Sequence, residues 1–178
     1  MTAEQYEPLY RWFNGHPVIK RLVLWLDRWL PLVPFVSYAV LLCLLNVRLV
    51  RLCALRQTGA LDLMLEIARA ILIPGLTFWL CTILRARLNR PRPYQQPGFT
   101  PLVPKTTKGC SFPSRHAFSA AVLATVWLYF YPAAGWCMVA VALAICTGRV
   151  LTGVHHIRDV AAGAALGFGL GFAGMWLL

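Results

Sequence analysis

The stretch Gly148-Arg149-Val150-Leu151-Thr152-Gly153-Val154-His155-His156-Ile157-Arg158-Asp159 runs without a break into Val160-Ala161-Ala162-Gly163-Ala164-Ala165-Leu166-Gly167-Phe168-Gly169-Leu170-Gly171-Phe172-Ala173-Gly174. The second half is uncharged and, continued to Leu178, reaches the roughly 20 residues that a bilayer-crossing helix needs. The first half carries Asp159, the only acid in the chain beyond Glu66, among arginines and histidines. Charge beside an apolar span is costly and marks function. The junction therefore reads as a membrane helix entered from a polar site.

Composition points the same way. The 178 residues are 59% hydrophobic and 13% charged, with a mean hydropathy of +0.63, which is too apolar for an ordinary soluble domain. One integral membrane domain over residues 1–178 is expected. The formal charge of +11 would suit nucleic acid, but the basic residues sit at the ends of apolar segments and in two loops, not along one soluble face. Nucleic acid is excluded as the expected partner, and anionic lipid in a bilayer takes its place.

Apolar runs lie at roughly 32–47, 64–84, 117–131, 133–148 and 158–178. They predict an all-α bundle of five to six transmembrane helices. Segment 18–30 is either a short additional span or an interfacial helix, because Lys20, Arg21, Asp27 and Arg28 interrupt it while Trp25 and Trp29 suit the headgroup region. The first reading is preferred. No apolar run followed by a small-residue cleavage site is found at the N-terminus, so no removable signal peptide is expected.

Between Arg85 and Arg115, and again between Arg149 and Asp159, polar loops interrupt the spans. Two spans separate these loops, so both open on one side of the membrane. Arg48, Arg51 and Arg56 fall on the other side, which the positive-inside rule makes cytoplasmic. The expected location is the plasma or inner membrane with the site facing outward. In the last span, the Gly-x-x-x-Gly spacings at Gly163–Gly167 and Gly167–Gly171 suit either a homodimer or close packing inside the bundle. Internal packing is the preferred reading.

Three polar clusters carry chemistry. His155 and Asp159 are four apart, so a helix beginning near His155 puts them on one face, where the carboxylate holds one imidazole nitrogen and leaves the other to attack. His116 follows Pro113-Ser114-Arg115 at the start of a span. A helix N-terminus suits phosphate oxygens, Ser114 adds a hydroxyl, and His116 is placed to protonate a departing oxygen. Each has a plainer reading: a neutralised helix start for His155 and Asp159, an N-cap for Ser114, a hydrogen-bonded interfacial histidine for His116. Arg85, Arg87, Arg90 and Arg92 close one span and Arg149 another. Arginine grips phosphate with a planar fork, though a run of this kind also anchors a helix at the membrane surface. Lys105 and Lys108 either steer an anionic substrate or contact headgroups.

Taken in order, Arg85 with Arg92-Pro93, then Pro113-Ser114-Arg115-His116, then Arg149 with His155 and Asp159 resemble the three signatures of the type 2 phosphatidic acid phosphatase superfamily, PAP2. The resemblance spans about residues 85–163. It implies a PAP2-like bundle of about six spans, His155 as nucleophile through a phosphohistidine, Asp159 as its orienting partner and His116 as general acid. Arg85, Arg92, Ser114 and Arg149 would hold the phosphate of a membrane lipid. No metal or other cofactor is implied, and one acid with scattered histidines offers no oxygen-rich cage for magnesium.

Two departures stand out, since the family usually has lysine at position 85 and glycine at position 115. Arg115 would either grip a second phosphate of a diphosphate lipid or turn its side chain away; the latter is preferred. His156 is expected to make an interfacial contact. The expected activity is hydrolysis of a phosphomonoester or diphosphate lipid: a polyprenyl diphosphate such as undecaprenyl diphosphate, phosphatidate or phosphatidylglycerophosphate. A lipid phosphotransferase with the same site and a non-catalytic lipid-binding or transport protein are the alternatives. Cys43, Cys53, Cys81, Cys110, Cys137 and Cys146 show no metal-ligand spacing and read as small apolar residues.

Overall fold

The polypeptide enters as two short helices, α1 (Ala3–Gly15) and α2 (Pro17–Trp29), the latter with Pro17 at its first position, where proline's missing N–H costs nothing. Five longer helices follow: α3 (Leu32–Ala54), α4 (Ala60–Leu88), α5 (Arg115–Phe130), α6 (Pro132–Leu151) and α7 (Ile157–Phe172), which a π-turn extends over Ala173–Leu177. This computed structural model describes residues 1–178, and the architecture is all-helical. Each apolar run read from the sequence falls on one of the five long helices.

Four helical segments are long and apolar enough to cross a membrane: Pro17–Ala54, Ala60–Gln95, Pro132–Leu151 and Ile157–Leu177. The protein is an integral membrane protein. α5 is the fifth long helix, and it is different in kind. Every residue from Ala117 to Trp127 is buried, because α3, α4, α6 and α7 surround it, with α6 and α7 packed most extensively. The outer helices display the opposite pattern, with large apolar side chains such as Val40, Leu72, Leu76 and Leu143 turned outward, as a lipid solvent permits.

The preferred expectation of a separate short span over 18–30 is corrected. α2 has 13 residues and rises only about 20 Å, less than the hydrocarbon core. It leads almost directly into α3 through Leu30 and Pro31, and forms with it one candidate span. Instead of crossing alone, α2 leans on the C-terminal half of α6, where Val23, Leu26 and Leu30 face Ala144, Ile145 and Leu151.

Glycines decide how closely α7 meets α5. A Cβ built at Gly163 would lie 2.6 Å from the backbone oxygen of Ser114, and one at Gly167 would lie 2.5 Å from that of Phe118. One at Gly171 would collide with Thr125 Oγ1. The Gly-x-x-x-Gly stripe is thus occupied inside the bundle, with α5 as its partner, in the manner of small-residue helix contacts in lipid. This close approach sets the N-termini of α5 and α7 side by side, with the Ser114 amide donating to the Asp159 carbonyl at 2.8 Å.

Candidate active site

At one end of the bundle the C-termini of α4 and α6 meet the N-termini of α5 and α7, and loops 89–114 and 152–156 close over them. The shorter loop folds back on α6: the amides of Val154 and His155 both donate to the Arg149 carbonyl at 3.2 Å. That reversal needs Gly153, whose φ of +73° favours glycine and whose missing Cβ admits the rings of Tyr6 and Phe99. Tyr6 stacks on Phe99 with centroids 4.7 Å apart and donates its hydroxyl to the Leu151 carbonyl at 2.8 Å. So α1 braces the loop that carries His155.

His155 does not lie on a helix, which corrects the helical-face argument. α7 begins at Ile157 with His156 as its N-cap residue, leaving His155 in the preceding loop. It still faces Asp159, with Nδ1 3.7 Å from Oδ2. Ser111 completes the group. Its hydroxyl donates to Asp159 Oδ2 at 2.5 Å and lies 3.4 Å from His155 Nδ1. The His156 amide donates to the same oxygen at 3.1 Å. All three side chains are almost fully buried. Burial disfavours the imidazolium, so His155 has its pKa pushed below the ordinary histidine value; the Asp159 hydrogen bond opposes that shift and the charges of Arg92 and Arg85 reinforce it.

The basic residues are placed differently from one another. Arg85 is buried and donates to the carbonyls of Pro113 and Cys110, while Arg92 Nε donates to the Gly109 carbonyl at 3.0 Å. Arg85 therefore holds the long loop against α4, and Arg92 ties the start of that loop to its later part. Arg149, also buried, points Nη1 and Nη2 at Asp27 of α2, at 3.3 Å from Oδ2 and 3.4 Å from the backbone oxygen. Arg115 is exposed, its guanidinium 5.9 Å above the Phe78 ring on α4, in keeping with a side chain that turns away. His156 is corrected: it is buried, not interfacial, in a cleft with Met1, Thr2 and Gln96.

Four buried polar atoms have no hydrogen-bond partner in the protein, Ser114 Oγ, Arg149 Nε, Asp159 Oδ1 and Trp127 Nε1, and the first two are donors within the quoted motifs. The plain N-cap role for Ser114 is not realised, since its side chain makes no capping bond. Buried donors left open are costly, about 1–3 kcal/mol each, and a ligand oxygen would satisfy them. Arg149 also lines a cavity of about 510 Å³ together with Asp27, Arg28, Lys105 and His116. No three His, Cys, Asp or Glu side chains converge as metal ligands would.

Sequence reasoning missed two members of this site. Ser111 has no place in the sequence reading, and Asp27 enters it only as an interruption in an apolar segment. For both the signal was the same: a lone charge in an apolar setting needs a partner. Asp159 finds Ser111, and Arg149 finds Asp27.

The model of the PAP2 superfamily matches residues 66–178. Among solved structures, the chain is similar to the crystal structure of Aquifex aeolicus LpxE, with 23% identity, a TM-score of 0.60 and coverage of 97% of this chain and 93% of that one. It is also similar to the first transmembrane PAP2 type phosphatidylglycerolphosphate phosphatase from Bacillus subtilis, with 22% identity, a TM-score of 0.51 and coverage of 95% and 90%. A search of curated protein sequences finds no match.

Proposed function

Because the chain belongs to the PAP2 superfamily, we propose that it is a membrane lipid phosphatase working through a phosphohistidine on His155. The observation that carries this reading is the buried group of His155, Ser111 and Asp159 beside two unpartnered donors, Ser114 Oγ and Arg149 Nε. A structural ion pair would have no use for open donors. A phosphoryl group seated between them would.

Asp159 and Ser111 face Nδ1 of His155, so the opposite ring nitrogen, Nε2, is the one free to attack phosphorus. The burial that lowers the pKa of His155 keeps the ring neutral and nucleophilic at neutral pH. As the bond from phosphorus to the lipid oxygen breaks, His116 gives that oxygen a proton. Water then attacks the phosphohistidine, with His116 taking the proton back, and inorganic phosphate leaves. Arg149, Ser114 and the first-turn amides of α5 stabilise the equatorial oxygens. Arg85 and Arg92 shape the loop and add positive potential. No metal is assigned a part: Asp159 Oδ2 is committed to Ser111 and the His156 amide, Asp27 to Arg149, and no third ligand of the kind a metal needs converges with either.

The substrate is a phosphomonoester or diphosphate of a membrane lipid. Phosphatidylglycerophosphate is one candidate, suggested by the name of the Bacillus subtilis protein; polyprenyl diphosphate and phosphatidate are the others. An outward-facing site, with Arg48, Arg51 and Arg56 in the cytoplasm, suits polyprenyl diphosphate recycling. The test is phosphate release from these three lipids by detergent-solubilised protein without divalent metal, beside His155→Ala. Release from at least one lipid, reduced by about 10³-fold or more in the variant, is expected. Normal turnover by His155→Ala, or no release from any lipid, would sink the reading; loss of release only on adding an acceptor alcohol would identify a phosphotransferase.

A further inference from the structure

We infer that Asp27 is a displaceable counter-ion of Arg149: incoming phosphate takes the guanidinium from the carboxylate, and the carboxylate reclaims it as inorganic phosphate departs. This rests on the phosphatase reading above. The pair is enclosed, with side chains 8% and 7% exposed, yet it lines the 510 Å³ cavity that also holds His116, Arg28 and Lys105. Asp27 is the only acid there. Its grip is loose: Nη1 to Oδ2 is 3.3 Å and Nη2 to the backbone oxygen is 3.4 Å, beyond the usual range for charge-assisted hydrogen bonds. Thr152 Oγ1, 3.4 Å from Oδ1, ties the carboxylate to the loop that carries His155. Arg149 Nε is buried without a partner, so the guanidinium keeps an unused donor that a phosphate oxygen satisfies once the pair opens.

The physical problem is product retention. A cavity with Arg149, Arg28 and Lys105 facing it would hold a phosphate dianion, and product release limits many enzymes. A carboxylate already on Arg149 subtracts the cost of its own displacement from every anion's affinity. It also spares the empty site an unpaired buried guanidinium. An ion pair serving only to dock α2 on α6 would not need to face the cavity, nor leave one guanidinium nitrogen without a partner.

The test is calorimetric binding of inorganic phosphate to the wild type, Asp27→Asn and Asp27→Glu in detergent, with phosphate inhibition of lipid hydrolysis measured in parallel. Asp27→Asn is expected to bind phosphate about tenfold more tightly, with kcat and KM both lowered. Asp27→Glu keeps the charge and stays within about threefold of wild type. Unchanged or weaker phosphate binding by a folded Asp27→Asn protein overturns the inference. Should that variant not fold, difference infrared spectra of Asp159→Asn decide: phosphate must shift a carboxylate stretching band, and a silent carboxylate region overturns the inference. A wild type that binds phosphate but hydrolyses no lipid would overturn the phosphatase reading, while the binding comparison would still decide whether Asp27 competes for Arg149.

Discussion

Asp159 Oδ2 collects the Ser111 hydroxyl, the His156 amide and the near side of the His155 ring, so one oxygen sets the orientation of the whole group. Replacing Ser111 by alanine removes a donor at 2.5 Å from a buried carboxylate. A hydrogen bond to a charged group contributes roughly 1.5–3 kcal/mol, so kcat should fall about 10- to 100-fold with KM little changed; steady-state kinetics with a dispersed lipid substrate would show it. The pH profile follows from the same geometry. The neutral form of His155 attacks, and its pKa is lowered by burial. The rate should therefore rise with pH along a limb lying below the ordinary value of 6.5 and fall again where His116, the general acid, loses its proton, giving a bell-shaped profile. Asp159→Asn removes the hydrogen bond and charge that raise this pKa, so the acid limb should move further to acid while the maximum rate drops by roughly 10³-fold. An acid limb moving toward alkaline pH would contradict the assignment. Most of this site was legible in the sequence, because histidines, arginines and an acid next to apolar spans have few structural uses. Ser111 and Asp27 were not, since a serine beside a proline is an ordinary loop residue and α2 is more than 100 positions from Arg149 in the chain.

Helix α7 translates that chemistry into a packing requirement. At Gly167 an alanine would gain about 1 kcal/mol in helix propensity, but its Cβ would sit 2.5 Å from the Phe118 backbone, which cannot rotate out of the way. Overpacking costs about 1–3 kcal/mol, so the clash wins. Gly167→Ala should lower the melting temperature and, by parting the N-termini of α5 and α7, reduce activity beyond what the lost stability explains. Gly169 has nothing within 4 Å of its would-be Cβ, and Gly169→Ala should be neutral or mildly stabilising. Equal melting temperatures for the two variants would contradict the packing described. The five long helices were readable because a lipid solvent demands uninterrupted apolar runs. α1 was not, because it is held by Tyr6 and Phe13 against Phe99 and Leu102, contacts across the chain that no local periodicity announces. α2 was misjudged for a related reason: its apolar residues are numerous enough for a span but its length is not.

Across the whole molecule, the polar site occupies one end and Arg48, Arg51 and Arg56 the other, with α3 and α4 between them. If the site faces outward, a cysteine at Lys108 in a cysteine-free background should react with an impermeant maleimide on intact cells. One at Gln57 should react only after permeabilisation. The reverse pattern would place the chemistry in the cytoplasm. The enclosure of α5 bears on how the protein meets bilayers of different thickness. Stretching or thinning a membrane tilts the helices that touch lipid; α5 has no such contact along its buried length from Ala117 to Trp127, and its clamp on α7 is backbone against glycine. The outer helices can absorb mismatch as a sleeve does around a fixed rod, so turnover per folded molecule should vary little between short-chain and long-chain host lipids.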